Sequence, residues 1–141
     1  MIIFKKIKWK NFLSTGNTFV EIDLRKSQMT LMIGGNGSGK STMLDALCFS
    51  LFNRPFRNIK KEQIVNTINN GDTIVEAEFQ VGTKNYKIIR GIKPAIFEIY
   101  CDDVLQNQDA SSVDYQNVLE DQILRLNYRA FKQIADIDER L

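Results

Sequence analysis

With 141 residues, 43% hydrophobic and 26% charged, the chain has the size and balance of one soluble globular domain rather than of a tail or a membrane protein. Its 19 basic and 17 acidic residues leave a net charge of +2, too even to announce a nucleic-acid surface, so any such surface must be local. No apolar run approaches the roughly 18 to 20 residues of a membrane span, the start MIIFKKIKWKNF lacks the form of a cleaved leader, and the absence of histidine excludes a His-containing zinc site.

Residues 2 to 9 place Ile3, Ile7 and Trp9 on one side and Lys6 and Lys8, with Lys10 beyond them, on the other, which predicts a strand with one basic, wet face. After the turn-like Ser14-Thr15-Gly16-Asn17, Val20, Ile22 and Leu24 alternate with Glu21, Asp23 and Arg25, so the two strands read as a hairpin. Residues 29 to 33 form a short apolar run, as in a strand buried on both faces. MLDALCFSLF then reads as an interior helix stopped by Asn53 and Pro55. Asn70-Gly71-Asp72 is a turn signal. Beyond it Val75, Ala77, Phe79 and Val81 alternate with polar residues, Tyr86 to Arg90 returns after a turn, and Ile96 to Cys101 precedes an Asp102-Asp103 turn. This is an antiparallel meander. From Ser112 apolar residues recur three or four apart, which predicts helix. Cys48 and Cys101 are lone thiols that fit apolar filler in a reducing, cytoplasmic compartment.

Between the buried strand and the interior helix lies Gly34-Gly35-Asn36-Gly37-Ser38-Gly39-Lys40-Ser41-Thr42, which satisfies GxxxxGK[ST]. Glycines let successive N–H groups turn inward and approach a phosphate chain closely. Lys40 is placed to bridge the terminal phosphate oxygens, the Ser41 hydroxyl to ligate Mg²⁺, and the helix beginning near Lys40 to add its positive dipole end. Chance occurrence over a chain of this length is about 0.5% at ordinary residue usage, and the strand-then-helix context is the one the motif demands.

Arg54, Arg57, Lys60 and Lys61 form a basic cluster interrupted by Phe56 and Ile59, either a contact for a nucleic-acid backbone or a solvated face; the solvated face is favoured, for these and for Lys6, Lys8 and Lys10. Trp9 is assigned to the core rather than to a base-stacking platform because it shares a side with Ile7. Ile134 to Glu139 only superficially matches an apolar strand ending in Asp-Glu and is read as a surface charge cluster.

The loop GGNGSGKST resembles the ABC-ATPase version of this motif. Together with Lys10-Asn11-Phe12-Leu13-Ser14 upstream and Tyr86-Lys87-Ile88-Ile89-Arg90 downstream, it is similar to the amino-terminal lobe of the SMC-like DNA-repair ATPases, with their K-N-F-x-S opening and Y-x-I-x-R strand. FNRPFRNIKKEQ, RGIKPAIFEI and YRAFKQI most resemble the branch found in T-even-type bacteriophages, the counterpart of bacterial SbcC and the eukaryotic Rad-fifty protein. An ABC transporter ATPase fits the opening and the meander less well. The resemblance covers about residues 1 to 134, taken as one lobe, with 135–141 as a tail of uncertain origin. It implies an α/β fold, a P-loop NTPase of ABC/SMC type with a mixed sheet, an antiparallel meander and a P-loop helix.

It further implies that Asn36, Gly37, Ser38, Gly39, Lys40, Ser41 and Thr42 hold ATP, with Ser41 on Mg²⁺, and that Val65, Asn66 and Thr67 fall in the family's second nucleotide-contacting segment. Implied partners are the carboxy-terminal lobe of the same head, a second ATPase head, an SbcD-type nuclease subunit and double-stranded DNA ends, in the cytoplasm of a bacterial host. Leu13 stands where many relatives carry an arginine near the nucleotide. No catalytic residue is assigned within the chain: the Q-loop glutamine, signature motif, second carboxylate motif and switch histidine are not among its residues, so the expectation is weak ATP–Mg²⁺ binding without family-like turnover, and apolar surface that promotes association. The competing reading is a short non-catalytic lobe mimic that binds and modulates a full-length repair ATPase or its nuclease.

Overall fold

The computed structural model describes residues 2–13, 15–24, 38–57, 59–66, 68–106 and 112–131, with the backbone alone at 38–41, 112 and 113. Strands β1 (Ile2–Lys10), β2 (Val20–Asp23), β3 (Thr73–Val81), β4 (Lys84–Ile92), β5 (Ile96–Cys101) and β6 (Val104–Leu105) form one sheet in the order β2-β1-β3-β4-β5-β6. Every pairing among these strands is antiparallel. The run 29–33, to which a mixed sheet would owe its parallel part, lies outside the described residues, as does 134–139.

The hairpin of β1 and β2 forms as its alternation predicts, with Ile7 opposite Ile22 and Trp9 opposite Val20. Two inward residues are misread from the sequence, Val20 and Ile3; Val20, on the edge strand, is 39% exposed. Ile3 is 47% exposed, whereas Ile2 and Phe4 pack against the core. The register against β3 slips between Phe4 and Lys6, leaving Lys5 as an extra residue. A bulge of this kind reverses the alternation, so Phe4 faces Phe79 while Ile7 and Trp9 keep the inward face they were assigned. Trp9 is core, as expected.

The meander matches its pattern. Thr73, Val75, Ala77 and Phe79 are buried and alternate with half-exposed Ile74, Glu76, Glu78 and Gln80. Gly82 turns the chain at φ +61°, and Asp102 and Asp103 adopt φ 49° and 68°, the two left-handed positions that a tight hairpin needs, here between β5 and β6. At the start of the β3–β4 pair the strands approach so closely that a Cβ on Gly91 would lie 2.9 Å from the Thr73 carbonyl oxygen.

Helix α1 (Ser38–Phe52) packs across β1, β3 and β4. All ten residues from Met43 to Phe52 are buried, which explains why the segment is apolar almost all round. It stops at Asn53, whose left-handed backbone (φ 62°) donates its N–H to the Phe49 carbonyl at 2.9 Å, with Pro55 just beyond. The helix predicted from Ser112 is in fact two: α2 (Ser112–Asn117), then a π-helix at Val118–Leu124 ended by left-handed Arg125. The i→i+5 bonding of a π-helix stacks residues five apart, so Leu119 and Leu124 both reach the core. A final helical turn at 128–131 sets Phe131 against Phe4 and Phe52.

Candidate nucleotide site

The phosphate-loop motif meets the described structure where α1 begins. Asn36 and Gly37 lie outside the described residues. Ser38, Gly39, Lys40 and Ser41 form the first turn of α1, and Thr42 follows, half-buried. The four N–H groups of that first turn have no partners within the helix, and together with the helix dipole they are a donor set suited to phosphate. A glycine-rich run therefore leads into a helix whose remaining length is sealed in the core, the arrangement that a P-loop requires.

The second segment is held by an asparagine knot. Asn66 donates both side-chain hydrogens, to the Leu13 and Thr15 carbonyls, and accepts from the Ile68 and Asn69 N–H groups, all at 3.0 Å. Asn11, 1% exposed, donates to Asn17 Oδ1 at 2.8 Å and to the Asp72 carbonyl at 3.2 Å, and accepts from Asn69 Nδ2 at 2.7 Å. Phe12 bridges Val65, and the Leu13 N–H donates to the Ile64 carbonyl. Two segments that the sequence offered separately are thus cross-bonded, through Asn11, Phe12 and Leu13 on one side and Ile64, Val65 and Asn66 on the other. The Asn66 side chain is spent on this loop, so it braces the segment; Thr67 lies outside the described residues.

Four residues of the basic clusters, Lys6, Lys8, Arg54 and Arg57, are engaged within the fold, while Lys60 and Lys61 are exposed. Lys6 lies 3.7 Å from Glu21 and 3.9 Å from Glu78, and Lys8 lies 3.7 Å from Glu76. The basic face of β1 is therefore balanced by acids on both neighbouring strands. Arg57 donates through its backbone N–H at 2.7 Å and its Nε at 2.5 Å to the two carboxylate oxygens of fully buried Asp45. Arg54 stacks on the Tyr128 ring with its guanidinium carbon 4.0 Å from the centroid, and the Tyr128 hydroxyl donates to the Pro55 carbonyl at 3.0 Å.

Sequence reasoning passed over the groups at the far end of α1. Arg90, on β4 and 4% exposed, donates from Nε to the Ser50 carbonyl at 3.1 Å and from Nη2 to Gln116 Oε1 at 2.6 Å, and its guanidinium carbon sits over the Phe97 ring, 3.6 Å from the centroid. Gln116 donates to the Leu51 carbonyl at 2.8 Å and to Glu120 Oε2 at 2.9 Å. Burial lowers the Arg90 guanidinium to about 9, with Glu120 opposing the shift, so it remains cationic at neutral pH. A signal for Arg90 existed, since it shares its strand parity with buried Ile88.

Among the described residues no three potential metal ligands cluster, and no helix is long and apolar enough to cross a membrane. The AAA-domain family matches residues 6–139. The chain is 44% identical over 130 residues to "Exonuclease subunit 2" of Enterobacteria phage T4 and 45% identical over 130 residues to the protein of the same name in Escherichia phage RB69, in each case over 92% of this chain and 23% of the relative. It is 39% identical over 62 residues to the "DNA double-strand break repair Rad50 ATPase" of Sulfurisphaera tokodaii, 44% of this chain and 7% of that protein. The chain thus spans about a quarter of the length of the phage relatives. With a glycine-rich sequence before a buried helix that is laid across an antiparallel meander, the chain belongs to the AAA-domain family and has the fold of an ABC/SMC-type P-loop ATPase, amino-terminal lobe.

Proposed function

We propose that the chain is the ATP–Mg²⁺-binding half-head of a DNA-repair and recombination ATPase that works with an SbcD-type nuclease on double-stranded DNA ends. The observation that carries this reading is the likeness over 92% of the chain to phage proteins named as exonuclease subunits, combined with a phosphate-loop sequence at the mouth of a core-anchored helix. In it, Asn36, Gly37, Ser38, Gly39, Lys40, Ser41 and Thr42 wrap the triphosphate, Ser41 contributes a hydroxyl to Mg²⁺, and the braced loop around Asn66 and Thr67 lines the nucleotide.

Mg²⁺ would supply charge neutralisation of the phosphates, and phosphoryl transfer to water depends on such positioning and charge stabilisation. This chain's own part is the cradle: backbone donors at the start of α1, the Lys40 ammonium, and a helix held rigid along its length. The carboxy-terminal lobe, a second head, the nuclease and DNA are the partners that complete the activity, and the host cytoplasm is its setting.

The test is ATP turnover by the purified chain, alone and with a carboxy-terminal lobe added in trans, alongside a pull-down against the nuclease subunit. The expected result is negligible turnover alone, turnover with the added lobe that DNA ends stimulate, and capture of the nuclease. Robust turnover by the chain alone, abolished by Lys40→Ala, contradicts the half-head reading. Capture of a full-length ATPase without any nucleotide binding identifies a lobe mimic instead.

A further inference from the structure

A buried guanidinium is an expensive group. Desolvating it is costly unless close partners offset the loss, and among the described residues no carboxylate lies within ion-pair distance of Arg90. What it touches instead is neutral: the Ser50 carbonyl, the Gln116 amide oxygen and the face of Phe97. Gln116 extends the contact, donating to the Leu51 carbonyl while Glu120 accepts from the same amide. A methionine in this place would fill the space with no charge to desolvate.

Two of the last four carbonyls of α1, Ser50 and Leu51, are thus held by a residue of β4 and a residue of α2. The same helix begins within the phosphate-loop motif. Fifteen residues of helix form a rod about 22 Å long, and its dipole favours an anion at one end and a cation at the other. A rod fixed at its carboxyl end holds its amino end to a narrow range of positions, and misplacement by about 1 Å is enough to weaken binding to a site built from directed donors.

We propose that Arg90 is a positioning residue for the nucleotide: through the Ser50 carbonyl directly, and through Gln116 to the Leu51 carbonyl, it fixes the seat of α1 and so the placement of the phosphate-binding turn at the other end. The assignment rests on the reading of that turn as an ATP–Mg²⁺ site. Glu120 and the junction between α2 and the π-helix complete the latch, because Glu120 holds the Gln116 amide in the orientation that faces both Arg90 and Leu51.

The experiment measures the affinity of a fluorescent ATP analogue with Mg²⁺, and the thermal midpoint, for the 141-residue chain and for Gln116→Leu, Arg90→Met, Arg90→Lys and Lys40→Ala. Gln116→Leu keeps the buried cation while removing its amide acceptor and the bridge to Leu51; it is expected to weaken binding roughly tenfold in protein that remains folded at the assay temperature. Arg90→Met is expected to weaken binding at least as much, and Arg90→Lys, which restores charge at the helix end, to recover part of the loss. Unchanged affinity in Gln116→Leu, with Lys40→Ala losing binding, overturns the positioning role and leaves the ATP reading intact. Should Arg90→Met fail to fold, the Gln116→Leu affinity alone decides the matter. No binding by the folded parent overturns both.

Discussion

At its amino end α1 continues directly from a contiguous glycine-rich run, whereas its carboxyl end is held by residues from three separate places: Asn53 just beyond it, Arg90 on β4 and Gln116 on α2. The first end carries the N–H groups that have no acceptor within the helix, the donors a ligand can use. The second has its carbonyls taken up within the protein, by Asn53, Arg90 and Gln116 for Phe49, Ser50 and Leu51 in turn. One helix thus has a binding end and an anchoring end: substitutions in the binding turn should lower affinity directly, and those at the anchor should lower it through the placement of the helix.

The sharpest separation comes from Lys40→Ala, expected to lower Mg²⁺–ATP affinity more than about 100-fold while leaving the thermal midpoint nearly unchanged, as read by titration calorimetry and thermal melts. Loss of stability in step with affinity would erase the distinction between the ends. Arg57→Ala strands the carboxylate of Asp45, which is 0% exposed, with only a backbone donor, and should cost about 2 to 3 kcal/mol in urea unfolding. The half-exposed guanidinium is what keeps the figure from being larger.

Gly91→Ala brings a Cβ to within 2.9 Å of the Thr73 carbonyl, at the point where the Thr73 hydroxyl donates to the Asn11 carbonyl at 2.7 Å. A loss of about 2 kcal/mol is expected, together with faster amide exchange in the Asn11–Asn66 knot; an unaltered knot would show that the two loops are braced independently of β3. Lys8→Ala, which removes one part-exposed ion pair with Glu76, should change stability by less than about 0.5 kcal/mol. A larger effect would mean that the outer face of the sheet contributes more than its charge balance suggests.

The same contrast explains what the sequence makes legible. A phosphate loop is written in consecutive residues because consecutive N–H groups do the binding, and the meander is legible because strand alternation has a period of two. Ile3 is misplaced by that rule because one extra residue at Lys5 reverses the period, and no local signal marks the bulge. The π-helix escapes because spacings of three and four look sufficient until Leu119 and Leu124, five apart, both turn inward. The anchoring end is illegible for a further reason: Arg90 lies 40 positions from Ser50 and 26 from Gln116, and only the fold brings them together. The basic runs read as solvated faces, and what the sequence does not show is that Lys6, Lys8 and Arg57 are answered by acids that the hairpins and α1 deliver.

Whether the mouth of α1 is an ATP–Mg²⁺ site is tested most directly by titrating the folded chain with ATP in Mg²⁺ and in chelator. One binding event that requires Mg²⁺ and disappears in Lys40→Ala is the predicted result. A folded chain that takes up no nucleotide, or one that binds equally well with Lys40 replaced, would contradict it.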